Sequence, residues 1–143
     1  FSMDDSKTKL RLNKEIHPLC WVLQVKDIHQ ARKNCGYDPG EVINMSRGDL
    51  EWQITVPKDG GLAEGGILPV LIQWPGGRNP AQRLTPSPVW LTHLEITHPS
   101  PSSIENILQR LGTPPEINIT QGNPALCFHL NTPKGSFALK SEL

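Results

Sequence analysis

A histidine and a glutamate two positions apart, His93 and Glu95, sit inside the strand-like run VWLTHLEIT. Residues two apart on an extended strand share a face, so the pair is expected to project together. An imidazole beside a carboxylate is a general acid/base pair, able to take a proton from one atom and return it to another. Cys20, early in LCWVLQV, adds a thiol that an imidazole such as His93 would activate if the two came within hydrogen-bond reach. Gln73 interrupts LPVLIQW. An amide inside an apolar strand either bonds a neighbouring backbone group or faces a pocket, and both alternatives stand. The other histidines read as structural: His17 in a surface loop before Pro18, His29 on a helix, His98 placed to help cap a helix, and His129 in a strand with nothing converging on it. Cys20 and Cys127 read equally well as small core residues. Arg78 and Arg83 flank PGGRNP, which opens no helix and lacks the lysine of a phosphate loop, so solvated loop charges are the expectation there.

The elements that would position these groups are short, because fourteen prolines and twelve glycines punctuate the chain. LCWVLQV is a strand candidate. DIHQARKNCG follows as a helix capped by Asp27 and stopped by Gly36, with Ile28, Ala31 and Cys35 on one face. EVINMS, LEWQITV and LPVLIQW are three further strands. The pattern then restarts: VWLTHLEIT is a strand and SPSSIENILQRLG a helix, with Ser100 as cap, Pro101 at its first position and Gly112 at its end. Ile104, Ile107, Leu108 and Leu111 form its apolar stripe. EINIT, ALCFHLN and SFALKS complete a second set. Leu23-Gln24-Val25 matches Leu94-Glu95-Ile96, Glu41-Val42 matches Glu116-Ile117, and TVPKDG matches NTPKG. Two copies of a β-α-β-β-β unit account for this, with a first module over 17–84, a second over 85–143, and an extension over 1–16. One unit alone cannot bury both its helix and its sheet face, so the two are expected to pack or pair.

Arg47-Gly48-Asp49 spells a tripeptide that adhesion receptors read, yet it falls between two strand candidates. Gly-Asp is hairpin chemistry, and a turn is the expected role, with Gly122-Asn123-Pro124 as its counterpart in the second copy. Asn44-Met45-Ser46 and Asn118-Ile119-Thr120 fit glycosylation sequons but fall in strand runs.

The 143 residues carry 14 basic and 14 acidic side chains, for a net charge of +0. Such a chain has no electrostatic reason to seek nucleic acid or an anionic membrane surface, and no apolar run approaches the roughly 20 residues of a membrane span. Three scattered cysteines make no disulfide framework and point to a reducing, cytoplasmic setting. Each of the four tryptophans, at 21, 52, 74 and 90, adjoins a strand run and is expected to pack in the core or line a pocket.

The doubled unit resembles the plan of the vicinal oxygen chelate superfamily, which includes glyoxalases, extradiol dioxygenases and antibiotic-resistance proteins. FSMDD, CWVLQVKDI, MSRGDLEWQITVPKDG, LPVLIQW, NPAQRL, LEITHPSP and LNTPKGSFAL are similar, in order and spacing, to its glyoxalase-like domain branch. The resemblance implies an α+β fold of two βαβββ modules forming curved mixed sheets. Proteins of the branch carry a further β-α-β unit before the segment resembling FSMDD, so this chain is expected to be a piece of a longer protein or a natural short form. In metal-using relatives, ligands come from the first and last strands of each module. Carried over, those positions are Cys20, Gln73, His93 and Lys140. A lysine ammonium has no lone pair to offer, and Cys with Gln suits no common hard-metal site. The resemblance therefore leads to an expectation of a small-ligand-binding domain with no bound metal and no cofactor. Two alternatives stand beside it: a metal-dependent lyase or isomerase completed by a missing unit or partner, and a structural or dimerisation module forming a homodimer.

Overall fold

The computed structural model describes residues 18–143. The extension over 1–16, His17 and the FSMDD segment lie outside the described residues. Five elements form a first unit: β1 (Val22–Gln24), α1 (Ile28–Asn34), β2 (Glu41–Arg47), β3 (Leu50–Val56) and β4 (Val70–Gln73). Five more form a second: β5 (Trp90–His98), α2 (Pro101–Leu111), β6 (Ile117–Gln121), β7 (Ala125–Thr132) and β8 (Gly135–Glu142). The order strand, helix, three strands occurs twice, and each set builds its own four-stranded mixed sheet.

Local chemistry explains the boundaries. Asp27 caps α1, its Oδ1 accepting from the Gln30 N–H at 3.1 Å. Pro101 opens α2, where its missing N–H costs nothing, and Gly112 closes it in the left-handed region at φ 67°. The hydroxyl of Ser100 makes no cap bond; instead the Ser100 N–H donates to Nδ1 of His98 at 3.0 Å. That bond leaves the proton on Nε2 of His98, which lies 3.4 Å from the Glu64 carboxylate of the first unit. Arg47-Gly48-Asp49 is a hairpin turn: Arg47 pairs with Leu50 across it, and Gly48 takes φ 62° while Asp49 stays at negative φ. Positive φ at the first of two central residues is the II′ pattern that matches strand twist.

The two sheets are connected differently. The first runs β1-β4-β3-β2, so β1 is an edge strand, parallel to β4. The second runs β6-β5-β7-β8, so β5 lies inside, parallel to β6 and antiparallel to β7. The connections supply the reason. Only Pro133 and Lys134 separate β7 from β8, and such a link forces a hairpin. β8 therefore stays on β7 and cannot reach β5, whose second edge is left to β6. The longer segment between β3 and β4 instead lets β4 settle between β3 and β1. This corrects the equivalence of the two turns. Gly48-Asp49 joins paired strands, whereas Gly122-Asn123-Pro124 passes across the end of β5 between strands that flank it.

The units share one core. Ile28, Leu23 and Leu71 of the first unit cluster with Leu94, Ile96, Ile104, Leu108 and Leu126 of the second. Trp21 is buried among them and donates its indole N–H to the Ile67 carbonyl at 2.8 Å. Helices α1 and α2 touch where Gly36 follows α1: the chain turns there at φ 88°, a conformation that favours glycine, with the Arg110 guanidinium alongside. Trp90 departs from the expected core role, with 53% of its surface exposed near the start of the second unit. Among the described residues no helix is long and apolar enough to cross a membrane.

Candidate functional site

Each sheet has one face against its helix and one face turned away. In the first sheet, Leu23, Val42, Thr55 and Leu71 lie on the helix side, with Thr55 and Leu71 fully buried. By strand alternation Val22, Ile43, Met45, Trp52, Ile54 and Ile72 occupy the other face. That free face is apolar and open: Met45 is 44% exposed and Ile43 38%. In the second sheet, Leu94, Ile96, Leu126 and the buried Ser141 lie on the helix side. The opposite face carries His93, Glu95, Thr97, Cys127, His129 and Lys140, and it is polar.

The residues singled out by sequence divide between these places. Gln73 lies on the helix side of the first sheet. Its Oε1 accepts from the Ile28 N–H at 2.8 Å, supplying a second acceptor at the start of α1. It also borders a groove of about 520 Å³ with Asn44, Trp52 and Gln53. Cys20 precedes β1 and belongs to the first unit. His93, Glu95 and Lys140 share the free face of the second sheet. The ligand positions implied by resemblance, Cys20, Gln73, His93 and Lys140, are thus split between two sheets. The Gln73 oxygen already serves a helix terminus and Lys140 is a cation, so this set does not fit a metal ion.

His129 corrects the sequence reading, which found nothing converging on it. Its Nε2 lies 3.2 Å from Oε2 of Glu95. It is also the direct cross-strand partner of His93, and the two rings stack with centroids 4.0 Å apart and planes 11° from parallel. His93, Glu95 and His129 each bring one donor atom within 4.8 Å of the others. The signal was distributed over two distant runs, THLEI and CFHLN. It becomes legible only once the β5–β7 register is known.

A β-bulge between Leu91 and His93 sets the cluster's geometry. Thr92, the bulged residue, donates its hydroxyl proton to the His129 carbonyl at 2.9 Å. A hydroxyl has one proton, so at 3.2 Å from Nδ1 of His93 the Thr92 oxygen is the acceptor. His93 therefore carries its proton on Nδ1 and keeps the lone pair on Nε2. Cys127 pairs across from both Glu95 and Lys140 and is half-buried on this face, which corrects its expected core role. Burial first, and the Glu95 carboxylate second, push its thiol pKa up, with Lys140 partly offsetting them. A thiol held protonated is a poor nucleophile. Lys140, Thr97, Asn123 and Glu142 line a hollow of about 540 Å³ at the end of the same face.

The site thus combines a hydrogen-bonded imidazole–carboxylate pair, a second imidazole of fixed tautomer, and a lysine beside an open hollow. No curated protein and no solved structure matches this chain. A family model described as a glyoxalase-like domain matches residues 2–112, which spans the first unit and ends at the residue that closes α2. The chain belongs to the glyoxalase-like domain family of the vicinal oxygen chelate superfamily.

Proposed function

We propose that the protein binds a small carbonyl compound bearing a carboxylate on the free face of the second sheet. The convergence of His93, Glu95 and His129 carries this reading. Beside them the Lys140 ammonium, 3.9 Å from the exposed Glu142 carboxylate, and the Thr97 hydroxyl line a hollow that offers one cation to an anionic group. The His129–Glu95 pair also supports proton transfer of the lyase or isomerase type. In that role Glu95 takes a proton from a carbon next to the carbonyl, and His129 holds the carboxylate in place and shares the charge. The cytoplasmic setting inferred from the cysteines belongs to the same reading.

Titration of the chelator-treated protein with a panel of small 2-oxo acids, followed by backbone amide NMR shifts, tests it. Shifts clustered on β5, β7 and β8, weakened in Lys140→Ala, are expected. Shifts confined to the first sheet, or none with any member of the panel, contradict it.

The apolar free face of the first sheet favours a second reading, a homodimer joined through it. Exposed Ile43 and Met45 are adjacent to half-buried Trp52 and Ile54 there, and contiguous apolar surface of this kind marks interaction sites. Sedimentation should then show a dimer that Met45→Glu converts to monomer. A wild-type monomer at all concentrations contradicts it.

A further inference from the structure

We infer that His93 selects a ligand carrying a hydroxyl on the carbon next to its carbonyl, and that Thr92 is the positioning residue behind this preference. The inference rests on the reading above, that a small 2-oxo acid binds the free face of the second sheet. It names the members of that class that fit best.

An imidazole nitrogen donates or accepts according to the ring's tautomer. For His93 the β-bulge makes the choice. The Thr92 hydroxyl directs its one proton to the His129 carbonyl at 2.9 Å. It therefore faces Nδ1 of His93, 3.2 Å away, as an acceptor. An N–H at Nδ1 satisfies that contact, whereas a lone pair there would meet the lone pairs of the hydroxyl. The ring is also clamped, because it stacks on His129 with centroids 4.0 Å apart and planes 11° from parallel. A half-turn of the ring would carry Nδ1 away from Thr92. Nε2, at the ring tip, keeps a lone pair and has no hydrogen-bond partner among the described residues. This is the tautomer less favoured in free histidine, so the Thr92 contact has a measurable consequence.

An acceptor left unpaired beneath a bound ligand costs free energy, which is how a site built to bond a hydroxyl rejects an analogue lacking one. Carbonyl and carboxylate oxygens only accept, so neither can serve His93; a hydroxyl can. Strand order places that hydroxyl. The row His93, His129, Ala138 crosses β5, β7 and β8 beside the row Glu95, Cys127, Lys140. Ala138 carries only a methyl group, which leaves the face low between the cluster and β8. Lys140 lies two strand spacings from β5, roughly 9.5 Å at the backbone. A three-carbon acid with its carboxylate at Lys140 therefore brings the far end of its chain to His93. That far carbon is the one next to the carbonyl. A His93 ring nitrogen and the Glu95 carboxylate lie within 4.8 Å of each other, so one carbon can meet both.

The test compares 3-hydroxypyruvate with 2-oxobutyrate, which has a methyl group in place of the hydroxyl. Both are titrated into the chelator-treated full chain and followed by amide shifts. The native chain is expected to bind hydroxypyruvate about twofold to tenfold more tightly, the range of one net hydrogen bond. Thr92→Val, nearly the same shape, should remove the preference, and Thr92→Ser, which restores the hydroxyl, should keep it. Nitrogen-15 correlation spectra of the imidazoles at about pH 8, where an ordinary imidazole is neutral, give a readout that a merely structural role would not move. His93 should carry its proton on Nδ1 in the native chain and in Thr92→Ser, and shift it toward Nε2 in Thr92→Val. Circular dichroism of each variant separates lost preference from lost folding. A native proton on Nε2 overturns the inference, as does a preference that survives in a folded Thr92→Val. Equal affinity for the two acids removes the inference and leaves the ligand reading standing. Binding of neither acid removes the ligand reading and this inference with it.

Discussion

In the first unit the opening strand β1 has three residues and lies at an edge; in the second, β5 has nine residues and lies inside its sheet. This difference decides where chemistry can assemble. A polar residue on an inner strand meets cross-strand neighbours on both sides, about 4.5–5.5 Å away between Cβ atoms. His93 and Glu95 on β5 accordingly meet His129 and Cys127 of β7 and, across the other edge, Asn118 of β6. Cys20 precedes an edge strand and has no such company. The same order of elements thus yields an apolar free face in one unit and, in the other, a polar face that brings two imidazoles and a carboxylate together.

The largest effect that can probe the comparison is on the shared core. Leu71→Ala in the first unit and Ile96→Ala in the second each remove a fully buried side chain, at a cost of about 2–5 kcal/mol. Because both belong to one cluster, urea unfolding should show one transition for each variant, shifted by similar amounts. Two separate transitions would mean that the units are energetically independent.

Helix starts sharpen the comparison next. Two side-chain acceptors, Asp27 and Gln73, serve the start of α1, whereas α2 relies on Pro101 and the His98 ring. Gln73→Leu removes the acceptor of the Ile28 N–H and should destabilise the protein by about 0.5–2 kcal/mol. The free face of the second sheet should keep any ligand affinity it shows. A parallel loss of that affinity would couple the two faces.

The smallest effect concerns Tyr37, whose hydroxyl donates to the Pro69 carbonyl at 2.6 Å and ties the chain after α1 to the start of β4. Tyr37→Phe should cost about 0.5–1.5 kcal/mol at neutral pH. Burial first, and Cys35 second, push the Tyr37 pKa above its ordinary value. The unfolded phenol ionises near pH 10, before the folded one. The contribution of Tyr37 is therefore fully present below about pH 10 and is lost as pH rises beyond it. Stability measured from pH 8 to 11 should fall more steeply for the native chain than for Tyr37→Phe. Parallel curves would contradict the assignment.

Much of this was legible in the residues because it is local. Asp27, Pro101 and Gly112 mark helix ends by their own chemistry, Gly48-Asp49 marks a hairpin, and alternation places Glu95 with His93. The rest depended on strand order, which local patterns do not encode. Matching runs such as LQV and LEI suggested equivalent modules, but the two-residue Pro133-Lys134 link gives the second sheet its own order. Pairing ligand positions by module equivalence then joined Cys20 and Gln73 to His93, when the actual neighbour, His129, lay on a strand set aside as structural. His98, read as helping to cap α2, does so through its ring nitrogen, whereas the Ser100 hydroxyl, read as the cap, makes no such bond.

The central claim is that small-molecule chemistry belongs to the polar free face of the second sheet and not to the apolar face of the first. An amide shift map of the chelator-treated chain with a saturating 2-oxo acid tests it most directly. The account predicts perturbations that cluster around His93, Glu95, Cys127, His129 and Lys140, with β2 and β3 silent. Perturbations centred on Met45, Trp52 and Gln73 would contradict it.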